Sequence, residues 1–155
     1  MSLTSAQVAL IESTWKVVKK DLQGAGNIMF LKLFQIDVSV RDKFPFRDVP
    51  YEELEDSESF LKHSLQVMET IDLAITLLLG GEMEKLVEAL VDLGMAHAMQ
   101  GLKPEDFDHV GEALVHALGV ALGKEFNDEA KKAWTLLYSV VTAKMKEGLK
   151  EAQED

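Results

Sequence analysis

Apolar residues recur along this chain at spacings of three and four, the period of a helix with one face turned inward. No stretch alternates apolar and polar residues with comparable strength. Thr4 followed by Gln7 is a capping-box pattern, and Val8, Ile11, Trp15, Val18 and Leu22 continue from it as a first amphipathic helix. Gly24 and Gly26 are expected to loosen the chain before a second apolar segment, Ile28 to Phe34, which is too dense in large side chains to be exposed on every side. A short helical turn is expected over Val38 to Lys43. Pro45 and Pro50 then break the pattern around Phe44-Pro45-Phe46, because proline lacks the N–H that a helix interior needs.

Asp48, Glu52, Glu53, Glu55, Asp56 and Glu58 read as a solvated loop running into the N-terminal end of a helix, where the helix dipole favours acids. Phe60, His63, Val67, Ile71 and Ala74 fall on one helical stripe that ends near Gly80-Gly81, and Met83, Leu86, Leu90, Leu93 and His97 form another. Gly101 ends that helix, Pro104 starts the next, and Phe107, Val110, Leu114 and Leu118 carry its buried face as far as Gly123. Asn127 is a good N-cap for a long last helix with Trp134, Leu137, Tyr138, Val141, Met145 and Leu149 inward. The expected fold class is all-α, about six to eight helices joined by short connections, organised as a single domain over residues 1–155.

Composition narrows the function. The chain of 155 residues is 47% hydrophobic and carries a formal charge of -11, the wrong sign for gripping nucleic acid or an anionic membrane surface. With no cysteine, thiolate catalysis, zinc–thiolate sites and thioether attachment of a cofactor are excluded. Met1-Ser2-Leu3-Thr4-Ser5 shows neither a basic leader nor an apolar run of secretory length, so the expected location is cytoplasmic. Gly-rich phosphate loops, a Gly-x-Ser-x-Gly elbow, His-Glu-x-x-His and a repeated Glu-x-x-His pair are all missing, which leaves hydrolytic and nucleotide chemistry without apparatus.

Four histidines remain. His109 and His116 share a helix face with Glu105 and Glu112 and read as solvent-side residues. His63 and His97 each replace an apolar residue within an apolar stripe, and buried ring nitrogens need partners. Either alone is more often a core histidine bonded to a carbonyl. As a pair on two helices, with Phe30, Phe44, Val67, Leu93 and Val110 as apolar neighbours, they suit a flat pocket for a planar macrocycle with an axial metal, that is, haem.

From Trp15 to the segment Trp134-Thr-Leu-Leu-Tyr138 the chain resembles the globin family, and the resemblance spans almost its whole length. Phe44 stands where globins wedge a phenylalanine against the haem. His63 with Val67 resembles the distal pair, and His97 with Pro104 seven residues on resembles the proximal ligand and the corner after it. Val67-Met-Glu-Thr-Ile-Asp72, Leu93-Gly-Met-Ala-His97, Val110-Gly-Glu-Ala-Leu114 and Ala133-Trp134 are more similar to neuroglobins and invertebrate nerve globins than to muscle myoglobins.

The resemblance implies a globin fold around non-covalent haem b, with His97 as proximal iron ligand and His63 as distal hydrogen-bond donor or sixth ligand. Leu102 and Phe107 would join the apolar neighbours along the pocket. It further implies an oxygen-binding protein rather than an enzyme, for O2 storage or transport, with CO or NO as further ligands. The alternative is a bis-histidyl haem protein for redox or NO chemistry, served by a separate reductase, or for gas sensing. Monomer and homodimer both stay open. Two positions depart from relatives: Ala96 stands where many myoglobins place a serine against the proximal imidazole, and Gln66 where neuroglobins often carry a lysine. With that serine missing, the proximal ring N–H is expected to bond the carbonyl of Leu93.

Overall fold

The computed structural model describes residues 3–98 and 101–154. Among them are six α-helices, α1 (Ser5–Val18), α2 (Leu22–Ile36), α3 (Glu58–Leu79), α4 (Met83–Ala98), α5 (Pro104–Leu122) and α6 (Asp128–Glu154), with four short 3₁₀ turns and no strand. None of these helices is long and apolar enough to cross a membrane. The architecture is helix packed on helix, with α4 against α6 as the most extensive contact and α2 crossing both α5 and α3.

Local chemistry explains the helix starts. Thr4 and Gln7 exchange the reciprocal bonds of a capping box, with Gln7 N–H donating to Thr4 Oγ1 at 3.1 Å and Thr4 N–H to Gln7 Oε1 at 2.9 Å. Asn127 accepts from the Ala130 N–H at 2.9 Å and opens α6. Pro104 is the first residue of α5, and Gly123, at φ +56°, closes it. The inward face of α1 (Ile11, Thr14, Trp15, Val18) meets α6 through Trp15 and Trp134, whose ring centroids lie 5.8 Å apart. Trp134 Nε1 donates to Thr14 Oγ1 at 2.8 Å, so both the apolar and the polar ends of the indole are satisfied.

Three expectations are corrected. Gly24 and Gly26 do not loosen the chain; both lie inside α2, and a Cβ on Gly26 would stand 2.8 Å from the Ser64 carbonyl oxygen of α3. The glycine lets two backbones approach, which offsets its cost of about 1 kcal/mol in a helix. The acidic stretch is not all loop, since Tyr51–Asp56 forms a 3₁₀ turn pinned by the fully buried Leu54. Met83 is 45% exposed and off the inward face of α4.

Candidate functional site

Helix α3 carries two adjacent stripes that do different things. Phe60, Ser64, Met68 and Ile75 are buried, whereas His63, Val67, Ile71 and Ala74 are only half-buried because they front a cavity of about 190 Å³. From the opposite side α4 contributes Leu86, Leu90, Leu93 and His97. Phe30 of α2, Phe44 of the corner, Leu102, and Phe107 and Val110 of α5 complete the ring of residues anticipated for a pocket, all on this one cavity. The walls are almost wholly apolar.

The two histidines face this space in different ways. The Nδ1 of His97 lies 2.7 Å from the Leu93 carbonyl oxygen one turn back. A carbonyl can only accept, so Nδ1 carries the proton, and in the neutral ring Nε2 keeps its lone pair. Phe107 meets the same ring edge-on at 5.8 Å, which fixes its plane. The carbonyl thus supplies what a serine at Ala96 would have supplied, and Ala96 itself is exposed.

His63 sits in an aromatic cage, with Phe30 and Phe44 each at 5.0 Å and Phe46 at 5.9 Å between ring centroids. Burial lowers its pKa below the ordinary 6.5, and the neighbouring His97 lowers it further. A neutral imidazole here keeps one N–H and one lone pair. Phe46 was missed by helical periodicity because it lies in the proline-broken corner, where the Phe-Pro-Phe run was the only signal; it stacks on Phe44 at 5.2 Å.

A polar cluster that the sequence pattern did not disclose borders the cavity. Asp106, in the first turn of α5, accepts from Lys43 Nζ at 2.7 Å and from the Lys103 N–H at 2.9 Å. His116 is exposed as expected, but His109 is only half-exposed, with Nδ1 3.3 Å from Asp37 Oδ2. The Ser39 hydroxyl, which donates to the same carboxylate, holds the Asp37 pKa below its ordinary range against the opposing effect of burial.

A free imidazole lone pair beside a second neutral imidazole, enclosed by apolar and aromatic walls, is a donor set that fits a planar metal macrocycle. Comparison with known proteins agrees. The globin family model matches residues 28–145. The chain belongs to the globin family.

This globin is 32% identical over 155 residues to the neuroglobin of Tetraodon nigroviridis, covering 99% of this chain and 96% of the relative. The neuroglobin of Dissostichus mawsoni is 31% identical over the same shares of both chains. Among solved structures, a hexacoordinated haem protein from an anhydrobiotic tardigrade superposes with a TM-score of 0.89 at 26% identity, over 96% of both chains. A Drosophila melanogaster globin superposes with a TM-score of 0.86 at 26% identity, over 93% of this chain and 94% of that one. Haem binding follows from the family.

Proposed function

We propose that this globin binds O2 reversibly on ferrous haem b, with His97 as the proximal iron ligand and His63 as the residue that governs the distal side. The observation that carries this reading is the Leu93–His97 hydrogen bond at 2.7 Å, which commits Nδ1 and leaves the Nε2 lone pair available on a residue that lines the same cavity as His63. Haem, when bound, supplies an iron centre that takes up small gases and exchanges electrons.

The chain's own residues do the rest. Phe30, Phe44 and Val67 keep water from the distal space, and a dry site strengthens any polar contact made within it. With haem bound, the neutral His63 would either donate its N–H to a ligand carrying partial negative charge or offer its lone pair to the metal. A charge-assisted bond of this kind contributes about 1.5–3 kcal/mol, so His63→Leu is expected to speed O2 release by roughly tenfold to a hundredfold. Unchanged release would remove His63 from the reading.

A second reading has a specific observation in its favour: the tardigrade neighbour is named as hexacoordinated, and a cyanide-bound Drosophila neighbour as a hexa-coordinate haemoglobin. In it the His63 lone pair would hold the iron when no gas is bound, an arrangement suited to redox, NO or sensing chemistry. The absorption spectrum of the reduced, O2-free holoprotein separates the two. One broad visible band means an open site and His63 as hydrogen-bond donor; two sharp bands mean His63 as ligand. Failure to take up added haem would sink both.

A further inference from the structure

The helix that carries His97 meets α6 backbone to backbone at two glycines. A Cβ on Gly94 would lie 2.0 Å from the Met145 carbonyl oxygen and 2.8 Å from its carbonyl carbon. Reciprocally, a Cβ on Gly148 would lie 2.0 Å from the Val91 carbonyl oxygen and 3.1 Å from the Met95 nitrogen. All of these are main-chain atoms, so no side chain can swing aside to make room. Both glycines are buried in helix interiors, where glycine is a poor helix former, and the compensation is the close approach itself.

This crossing lies at the turn that presents the proximal ligand. Gly94 follows Leu93, whose carbonyl orients His97, and Leu93, His97 and Met145 all line the cavity. Packing against α6 is the largest contact α4 makes, exceeding its contact with α3. The α4–α6 crossing therefore adjoins the carbonyl that orients His97.

We propose that Gly94 and Gly148 are positioning residues for His97: their backbone contact fixes the reach of Nε2, and with it the strain on the His97–iron bond and the ease with which His63 or a gas takes the opposite side. This inference rests on the haem reading above. Ordinary van der Waals contact begins at 3.4 Å, so one added methyl at either glycine must part the helices by more than about 1 Å. A packed bundle has no slack to absorb that without moving α4.

The test uses holoprotein carrying Gly94→Ala or Gly148→Ala, with Gly119→Ala as control, because a Cβ on Gly119 meets only Phe126 at 3.7 Å. Each variant is made in the parent and in the His63→Leu background, which opens the site so that the iron–imidazole stretching frequency can be read by resonance Raman. The expected result is a shifted frequency and a change in CO affinity of about tenfold for both crossing variants, with neither moved by Gly119→Ala. Unshifted frequency and affinity in folded, haem-loaded variants would overturn the proposal. So would an equal shift in the control. If Gly94→Ala does not fold, Gly148→Ala decides alone. Unfolding of both overturns it too, since the crossing would then support the whole bundle rather than place one histidine. A parent chain that takes up no haem, by contrast, refutes the functional reading and not the packing argument.

Discussion

Replacing Lys43 by methionine should reveal how the two sides of the pocket are tied together. Lys43 closes the 3₁₀ turn Val38–Lys43 immediately before Phe44, and its Nζ lies 2.7 Å from Asp106 Oδ2 at the start of α5. The partners are unequally shielded, the Asp106 side chain being 8% exposed and that of Lys43 24%. In Lys43→Met the carboxylate stays buried with the Lys103 N–H as its remaining partner. Removing one member of a fully buried pair costs about 3–5 kcal/mol, and the partial exposure of Lys43 reduces this to about 2–3 kcal/mol.

Asp106→Asn is the informative counterpart. The lysine can swing into water and the asparagine carbonyl can still accept from Lys103, so the loss should be about 1 kcal/mol. Urea denaturation of the apoprotein measures both, and haem transfer to an acceptor protein measures whether loosening the Phe44 segment hastens cofactor loss, as expected. The double variant should be more stable than Lys43→Met alone, because it removes the orphaned charge. The reasoning fails if Asp106→Asn costs more than Lys43→Met, or if both fall below about 0.5 kcal/mol, the usual range for a solvated pair.

Other perturbations test other contacts. A Cβ on Gly111 would stand 2.5 Å from the ring of Tyr138, whose hydroxyl donates to the Phe107 carbonyl, so Gly111→Ala should lower stability by about 1–3 kcal/mol; an unchanged melting temperature would contradict the geometry. Trp134→Phe removes the buried bond to Thr14 and leaves a void, and should cost about 1–3 kcal/mol in the same assay. Asp37 titrates below its ordinary 3.8 in the folded chain, so its contribution to stability is complete above that value and is lost as pH falls through the lower folded-state pKa. Asp37→Asn should therefore be less stable than the parent at neutral pH and converge with it in acid; parallel stability curves at all pH values would count against this.

What could be read from the chain alone depended on how far apart the causes lie in sequence. Thr4 and Gln7, Asn127 and Ala130, and the placement of Pro104 and Gly123 are local devices, and each appears where its pattern places it. Gly26 was misread because its reason is the carbonyl of Ser64 on another helix, while the entropic cost of a glycine is visible locally. His109 shares a helical face with acids, yet it is only half-exposed and its Nδ1 lies 3.3 Å from Asp37 Oδ2 at the end of α2. Periodicity also could not separate lining from core on α3: His63, Val67, Ile71 and Ala74 front the cavity, and the fully packed stripe lies one position further round.

These gaps share a cause that bears on function. Hydrophobic patterning records which side chains avoid water, and it finds His63 and His97 because they interrupt such a pattern. It carries no information about distance. The reach of His97 depends on the Leu93 carbonyl and on the approach of α4 to α6, which are backbone properties, and the residues that permit the approach, Gly94 and Gly148, have no side chain to enter any apolar stripe. Pattern reading therefore finds the two imidazoles on the cavity more readily than the backbone geometry that places them. If the two imidazoles hold haem as proposed, that backbone geometry is where an open and a closed distal site would come to differ.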